Sequence, residues 1–553
     1  MKCRNLIITM LCVVSFTLLA QPVAKAPENW FNLDAQENGI NGVSTEKVYG
    51  QLLKGKKGKT VIVAVIDGGV DPEHEDLKDI MWINQREVAN NGKDDDGNGY
   101  VDDIYGWNFI GGKDGKNVHH ETLEVTRVYA RLRAKYENAD PAKLSGKDKA
   151  EYNKYLDAKK EVETKRKESG EELAEWEKTK EKISEALEAM EIALGGKPLT
   201  KENVAAVKGN SEEIQTAKNI LTRYLTTGGG ASSLQSAKED FMGQIDEGIE
   251  YYGTKAKYQY NPDYDSRKEI VKDNYDDSYD RNYGNSDVKG PDALHGTHVA
   301  GIIGAIRTND KGMKGVADNV RIMGVRCVPD GDERDKDVAN SIIYAVDNGA
   351  SVINMSFGKS YNWDKKAVDK AVKYAMSKDV LLVHAAGNDA KDNDAGYNNF
   401  PTARFEKSGL FSAKKAKNWI EVGALSWKKG DESVANFSNY GKQNVDVFAP
   451  GVDIYSTTPD GEYKSLSGTS MASPVTAGVA AMIRSYYPEL TAEQVKECIE
   501  KSVVPQNLKV KKPGTEDTVD FSSLSRTGGV VNAYKAIQLA SQMKGKKKLQ
   551  ARV

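Results

Sequence analysis

The sequence predicts an α/β protein in which a mostly parallel β-sheet is flanked by helices, with an α-helical insertion interrupting the fold. The first observation is the β-branched run GKTVIVAVIDGGV at residues 58–70, which is typical of a fully buried strand. The second is that similar runs recur, as VRIMGVRCV, ASVINMSFG, DVLLVHAAGN, WIEVGAL and VDVFAPG. The third is that helical patterns such as KDVANSIIYAVDNGA separate several of these runs, and this alternation favours a parallel sheet.

The overall composition is that of a globular protein. Of the 553 residues, 39% are hydrophobic and 29% are charged, which leaves room for one large core and an additional module. The formal net charge is −3, so no strong positive field predicts nucleic acid as a partner.

The first twenty residues have the pattern of a secretory signal peptide. Lys2 and Arg4 precede the apolar run LIITMLCVVSFTLLA, which ends on the small residue Ala20. A membrane anchor is the alternative, but the run is shorter than the ~20 residues that a span needs. We therefore expect residues 1–20 to be removed, with no stable membrane span afterwards. The mature protein is then exported to the periplasm, the cell surface or the medium.

The remaining chain divides into four predicted segments. Residues 28–110 hold the first core strand, 111–285 form the helical insertion, 286–540 complete the sheet, and 541–553 form a solvated basic tail. Within the insertion, a narrow apolar seam runs along a charged helix (Leu173, Trp176, Ile183, Leu187, Met190 and Leu194). We expect this seam to pack on other helices of the insertion, and a coiled coil with a partner is the alternative.

Two cysteines lie beyond the predicted signal peptide. Cys327 falls in a strand-like run and Cys498 in a helical one. Two cysteines do not make a disulfide framework, so small buried side chains are the favoured interpretation, and a single bridge stays open.

Three separated residues could together perform nucleophilic acyl transfer. Asp67 ends the strand VIVAVID, His295 opens HGTHVAGIIGA, and Ser470 opens the helical pattern of GTSMASPVTAGVAAM. A serine hydroxyl is a poor nucleophile until a histidine takes its proton, and a carboxylate must orient that histidine and stabilise its charged form. Each residue alone is a weak signal, since strand-end aspartates and helix-capping serines are common.

The segments IDGGVD, HGTHVAG and GTSMASP resemble the three signature segments of the subtilisin-like serine peptidases, in the same order. The resemblance covers about 30–110 and 286–540, and it implies a subtilisin-like fold. By position in the motifs, Asp67 resembles the orienting acid, the first histidine His295 the general base rather than His298, and Ser470 the nucleophile.

Further segments resemble the family's binding elements. HAAGND places Asn388 where the family has an amide donor to the oxyanion, with the N–H of Ser470 as the second donor. NMSFG resembles the strand that pairs with an extended peptide. The resemblance implies that the residue before the scissile bond lies between two small walls (Ser356, Phe357 and Gly358; Ala385, Ala386 and Gly387). NNFPT at 398–402 resembles the segment near the floor of that pocket, and Pro474 is expected in the first turn of the serine's helix.

NGKDDDGNGYVDD at residues 91–103 resembles the first half of a calcium-binding loop. Alternating side chains and one carbonyl supply the predicted ligands (Asp94, Asp96, Asn98, Tyr100 and Asp102), although the closing glutamate of an EF-hand is missing. We expect a structural calcium ion, with a solvated turn as the alternative. The run His119-His120-Glu121 predicts no metal site, because adjacent side chains should point in different directions.

The sequence thus predicts an exported serine endopeptidase that acts on protein or peptide substrates through an acyl-enzyme. Transfer of the acyl group to an amine, as in a peptide ligase or cyclase, is one alternative. A processing protease of narrow specificity and a scaffold that only binds are two others. The insertion is expected to border the cleft and restrict substrate access, and a remote module that docks a partner is its alternative.

Overall fold

A computed structural model describes residues 25–226, 233–396, 399–406 and 415–547. The predicted signal peptide lies outside the described residues, as does the end of the basic tail from residue 548 onward. No helix within the described residues is both long and apolar enough to cross a membrane.

Within these described residues, nine strands form the central sheet, and four others form two small antiparallel pairs. The strands are β1 (Val61–Asp67), β2 (Gly106–Asn108), β3 (Val320–Arg326), β4 (Val352–Met355), β5 (Leu381–Ala385), β6 (Trp419–Leu425), β7 (Val447–Pro450), β8 (Ile454–Thr458), β9 (Glu462–Leu466), β10 (Val504–Pro505), β11 (Lys509–Lys511), β12 (Thr518–Asp520) and β13 (Gly529–Val530). The order in the sheet is β10-β13-β7-β6-β5-β4-β1-β3-β2, and every neighbouring pair is parallel except β10 with β13. The predicted mostly parallel sheet is thus confirmed.

The described residues form α-helices that are numbered in chain order. They are α1 (Thr45–Lys47), α2 (Glu124–Tyr136), α3 (Gly146–Leu194), α4 (Lys201–Ala206), α5 (Glu212–Thr226), α6 (Leu234–Thr254), α7 (Ser266–Glu269), α8 (Leu294–Gly304), α9 (Asp335–Asp347), α10 (Lys365–Ser377), α11 (Thr469–Tyr486), α12 (Ala492–Lys501) and α13 (Ala533–Gln542).

Strand β1 shows why its sequence is apolar without alternation. Val63 and Val65 belong to a core shared with α8, α11, α12 and α13, whereas Ala64 and Ile66 belong to a core shared with α9 and α10. Both faces of the sheet are therefore covered, so both sets of side chains have to be apolar. The chain passes from β3 on one side of β1 to β4 on the other, and this crossing opens a crevice at the carboxyl end of β1.

Helices α2 to α7 form most of the segment predicted as an insertion. Helix α3 has 49 residues, about 73 Å at the rise of an α-helix, and it packs against α2, α5 and α6. Its predicted seam packs within this module: Leu187, Met190 and Leu194 share a core with residues of α5 and α6, and Trp176 contacts α6 at Gly248.

The flanks of this segment belong to the sheet rather than to the helical module. Phe109, Ile110 and Val118 on one flank, and Val271 and Tyr283 on the other, are buried in the core shared with α9 and α10. The helices of this segment accordingly begin at Glu124, and Val118 before them lies in the α/β core. The two cysteine side chains in the described residues, Cys327 and Cys498, are buried free thiols, as the favoured interpretation held.

Candidate active site

The carboxylate and the imidazole meet at the carboxyl end of β1. His295 Nδ1 lies 2.8 Å from Asp67 Oδ1, and the Gly68 N–H donates to the same oxygen at 2.8 Å. Asp67 is buried, whereas the His295 side chain is 40% exposed. A β-carbon on Gly296 would lie 2.1 Å from the Gly69 carbonyl oxygen, so only glycine lets the first turn of α8 approach the Asp67 loop this closely.

The two histidines of HGTHV have different electrostatic surroundings. Desolvation lowers the pKa of His295, but the charge of Asp67 and its hydrogen bond outweigh this, so the pKa lies above its ordinary value. His298 is buried, its Nε2 contacts the Lys464 carbonyl oxygen at 3.0 Å, and burial lowers its pKa to about 4. Of the two, His295 is the one that faces a carboxylate and solvent.

Ser470 is the second residue of α11, which packs against α8. Its hydroxyl donates to the Ser356 carbonyl oxygen at 3.1 Å, and the Ser356 hydroxyl donates to the Ser470 carbonyl oxygen at 2.9 Å. Among the described residues no hydrogen bond joins Ser470 Oγ to His295. The serine and the strand-end residue Ser356 thus hold each other through two reciprocal contacts.

The expectation that Pro474 lies in the first turn of α11 is wrong. The helix begins at Thr469, so Pro474 stands inside it, where proline removes the N–H that would bind the carbonyl four residues earlier. That carbonyl belongs to Ser470, and it accepts from Ser356 Oγ instead. The proline therefore leaves an acceptor at the serine that the neighbouring strand end satisfies.

An amide and a backbone N–H converge beside the serine. The Thr469 N–H and hydroxyl donate to Asn388 Oδ1 at 2.8 and 2.9 Å, which turns the other end of the amide, Nδ2, away from Thr469. A β-carbon built on Gly468 would lie 3.5 Å from Asn388 Nδ2 and 3.5 Å from the Ser470 nitrogen. Both nitrogens therefore lie beside one small space, next to the Ser470 side chain and at the positive end of α11.

The six residues predicted as pocket walls lie on two adjacent strand ends. Ser356, Phe357 and Gly358 directly follow β4, and Ala385 ends β5 with Ala386 and Gly387 after it. Between the two segments stands Asn399, which is buried and whose Nδ2 donates to the Ala385 carbonyl oxygen at 2.8 Å.

Asn399 lies where the floor of the predicted pocket would be, and the sequence analysis did not identify it. A β-carbon on Gly358 would lie 2.2 Å from Asn399 Oδ1, and one on Gly387 would lie 3.4 Å from Asn399 Cγ. The carboxamide is thus in contact with both walls. The available signal was its position directly before Phe400-Pro401 in NNFPT, the segment that resembles the floor region of the family.

In the acidic loop, two of the five predicted ligands lie together with a carboxylate that was not predicted. Carboxylate oxygens of Asp94 and Asp96 lie within 4.8 Å of one another and of Glu87, which the sequence analysis missed because it precedes the loop motif. Glu87 Oε1 accepts from the N–H groups of Asp95 and Asp96 at 2.9 and 3.1 Å, so it is held in place by the loop backbone.

The other predicted ligands make different contacts. Asp102 accepts from the N–H groups of Asn91 and Gly92 at 3.1 and 2.9 Å, and Asn98 Oδ1 accepts from the Tyr100 N–H at 2.8 Å. The Tyr100 side chain is buried against Trp107 and other aromatic rings. The contacts of Asp102 and Asn98 shape the loop backbone, and the clustered carboxylates of Glu87, Asp94 and Asp96 are hard oxygen donors of the kind that Ca²⁺ binds.

The expectation that His119 and His120 point apart is also wrong. Their ring centroids are 4.2 Å apart, and residue 120 forms a parallel β-bridge with Asp330. His120 Nδ1 lies 2.9 Å from Asp330 Oδ2, and the His120 ring stacks on Tyr258 at 4.3 Å. The pair therefore links the start of the insertion to the loop that follows β3.

Comparison with known proteins gives matches to one protein family and to serine proteinases. A family model described as "Subtilase family" matches residues 237–528, more than half of the chain, and this stretch contains His295, Asn388 and Ser470 but not Asp67. A thermophilic serine proteinase of Bacillus sp. (strain AK1) is 39% identical over 242 residues, which are 44% of this chain and 51% of that protein. Thermitase of Thermoactinomyces vulgaris is 36% identical over 245 residues, which are 44% of this chain and 75% of thermitase.

Solved structures give a partial match. One, described as a protease from Pseudoalteromonas arctica, is 27% identical and aligns with 46% of this chain and 78% of its own, with a TM-score of 0.37. The chain spans about half the length of the Bacillus relative.

Proposed function

The chain belongs to the subtilase family of serine proteases, and from this premise we propose that it is an endopeptidase that hydrolyses peptide bonds through an acyl-enzyme at Ser470. The observation that carries the proposal is the convergence of Asn388 Nδ2 and the Ser470 N–H on one space beside the Ser470 hydroxyl. Labelling of Ser470 by an organophosphonate is the experiment that tests it.

In the proposed reaction, Ser470 Oγ leaves the Ser356 carbonyl and turns toward the Nε2 of His295. Catalytic hydrogen bonds are often long or misaligned without substrate and tighten when it binds. His295 takes the hydroxyl proton as Oγ attacks the scissile carbonyl carbon, and then gives that proton to the departing amine. Water, deprotonated by the same imidazole, attacks the acyl carbon, and the C–Oγ bond breaks as the imidazolium returns the proton to Ser470 Oγ, which releases the acid product. Asp67 holds the imidazole with Nδ1 protonated and stabilises its charged form.

Two donors stabilise the negative charge that develops on the carbonyl oxygen. They are the carboxamide of Asn388 and the N–H of Ser470, and neither has to reorient during the reaction because Thr469 and the start of α11 fix them. Protein or peptide substrates fit this site by main-chain pairing along the strand end at Ser356 to Gly358.

The Asn399 floor predicts a shallow, polar pocket for the residue before the scissile bond. We expect the wild type to prefer small or polar side chains there, because the carboxamide stands between the two walls. Asn399→Gly should open the space beneath Gly358 and raise kcat/KM for a phenylalanine substrate, relative to its alanine counterpart, by about tenfold or more. The check is to measure both matched peptides with wild type and variant. An unchanged ratio would mean that another residue forms the floor.

The proposal includes a structural calcium ion held by Glu87, Asp94 and Asp96. Their carboxylates supply hard oxygen donors on one surface loop, and the Asp96 side chain already contacts Arg86 at 3.0 Å, so a cation would compete with that ion pair. The ion's role would be to hold this loop against the core through neighbouring buried contacts such as Tyr344 Oη with Asp103 at 2.6 Å.

Removal of calcium should lower the melting temperature. Chelator added to the calcium-loaded protein is expected to lower Tm by several degrees, since a bound ion stabilises the folded state by mass action. Asp96→Ala and Glu87→Gln should each remove most of this sensitivity, whereas Asp114→Ala, in a different acidic turn, should leave it intact. A chelator that does not change the wild-type Tm would remove the ion from the proposal.

Export is the remaining part of the proposal. It is supported by the basic and apolar pattern of residues 1–20. A protease that acts on proteins outside the cytoplasm would meet its substrates there.

A further inference from the structure

Buried charges join the helical insertion to the wall of the substrate pocket. Lys359 directly follows Gly358 of the wall, and its side chain is only 1% exposed. Its Nζ lies 2.7 Å from Glu124 Oε2 at the start of α2, 2.8 Å from Asp335 Oδ1, and 2.7 Å from the Glu333 carbonyl oxygen. The Glu124 side chain is fully buried, so the insertion supplies one of two carboxylates that neutralise a buried ammonium beside the pocket.

Glu124 is held in this position from several sides. Arg127 Nη2 donates to Glu124 Oε2 at 2.7 Å. The backbone N–H of Glu124 donates to Asp332 Oδ2 at 2.8 Å. Burial raises the pKa of Glu124, but the charges of Arg127 and Lys359 more than reverse this and hold the pKa well below its usual range. Glu124 is therefore a carboxylate, and Lys359 is charged.

From Lys359 a short chain of contacts leads to the floor and the nucleophile. The Lys359 N–H and carbonyl pair with the carbonyl and N–H of Phe400 at 3.0 and 2.8 Å, directly beside Asn399. On the other side, Ser356 exchanges two hydrogen bonds with Ser470. The insertion thus reaches the catalytic serine through one lysine and three wall residues.

We propose that Glu124 is a positioning residue: by fixing Lys359, it sets the pocket wall at the distance that peptide binding needs. The insertion is then a built-in part of the substrate site rather than a separate gate or a remote docking module. This inference rests on the proposed function, because it concerns the wall of that same active site. A buried charge left without its partner is costly, so loss of the Glu124 charge should displace Lys359 and with it the wall.

The structure offers a matched control in the same junction. Arg334 and Glu121 form a second buried pair, at 2.8 Å, between the insertion and the loop after β3. Arg334 stands in the chain between Glu333 and Asp335, which both contact Lys359, but its own side chain pairs with Glu121 and Asp265. Glu121→Gln therefore breaks a pair of the same kind and similar burial, without removing a partner of Lys359.

The experiment compares Glu124→Gln, Glu121→Gln and wild type in the full-length protein. Each is assayed for Tm, for KM and kcat on a peptide of six or more residues, and for the rate of Ser470 labelling by a small organophosphonate that does not extend along the wall. We expect both variants to lower Tm. Only Glu124→Gln should raise the peptide KM, on the order of tenfold or more, while its labelling rate stays within about twofold of wild type.

Other results of this experiment would overturn either the positioning role of Glu124 or the proposed function. Equal effects of the two variants on KM, or an unchanged KM in Glu124→Gln, would overturn the positioning role. If Glu124→Gln does not fold, Glu124→Asp, which keeps the charge but retracts it by one methylene, should give a smaller rise in KM of the same kind. An unchanged KM in that variant would also overturn it. A wild-type protein that neither labels nor cleaves would instead overturn the proposed function, and this inference with it.

Discussion

Ser470→Ala should abolish turnover and organophosphonate labelling while leaving Tm within a few degrees of wild type. The hydroxyl makes a single hydrogen bond to the Ser356 carbonyl oxygen, so its removal costs the fold little. The variant has no other nucleophile at position 470, so the proposed acyl-enzyme cannot form. We expect kcat to fall by about six orders of magnitude, as it does when the nucleophile of subtilisin, a member of the family, is removed.

The matched control for this experiment is Ser473→Ala. Ser473 lies in the same helix three residues later, and its hydroxyl donates to Asn354 Oδ1 at 2.8 Å in the buried core. It should lower stability but keep labelling, since it does not reach the cleft. Persistent labelling of Ser470→Ala at the wild-type rate would show that another residue is the nucleophile, and mass spectrometry of the labelled peptide would identify it.

Much of the fold follows from the sequence because its strands are buried on both faces. Continuous β-branched runs such as Val61 to Ile66 have few alternatives, and helical patterns between them leave a parallel sheet as the simple solution. The ends of the insertion were harder to place. Residues such as Val118 and Tyr283 look irregular in sequence, yet they pack in the sheet's core, and such long-range burial has no local signal.

The residues of the candidate site likewise divide into those with a local sequence signal and those that depend on long-range contacts. Asp67, His295, Asn388 and Ser470 stand in short motifs whose spacing is local, so the sequence could nominate them. Asn399 and Glu87 become candidates only through contacts that are visible in the folded chain. Lys359 and Glu124 are 235 positions apart, and neither carries a motif, so their buried pair could not be foreseen.

Replacement of the donors to the oxyanion should give the second large loss of activity. Asn388→Ala is expected to lower kcat by about 10²–10³, the range found when this donor is removed from subtilisin, with little change in KM. The reason is that the Nδ2 group faces charge that exists only in the transition state. Loss of Oδ1, which accepts two bonds from Thr469, should also lower Tm measurably, so kcat is compared well below the melting range.

Gly468→Ala tests the same space without removing a donor. The residue has an extended φ of 168°, which alanine adopts without strain, and the new β-carbon would lie 3.5 Å from both donor nitrogens. An oxyanion bound by both nitrogens lies about 2.7–3.1 Å from each, so we expect the methyl group to compete with it for this space. We therefore expect a loss of kcat similar to that of Asn388→Ala, with Tm nearly unchanged. Gly50→Ala is the control, since its β-carbon would meet nothing within 4 Å.

The double variant decides whether the two residues act at one point. If the methyl group introduced by Gly468→Ala already excludes the anion from the space between the donors, removal of the Asn388 amide should cause no further loss of kcat. Asn388→Ala with Gly468→Ala should then be only slightly worse than the poorer single variant, whereas independent effects would multiply. Fully multiplicative losses in kcat would mean that the anion binds elsewhere and that Asn388 contributes by holding Thr469 and the start of α11 in place.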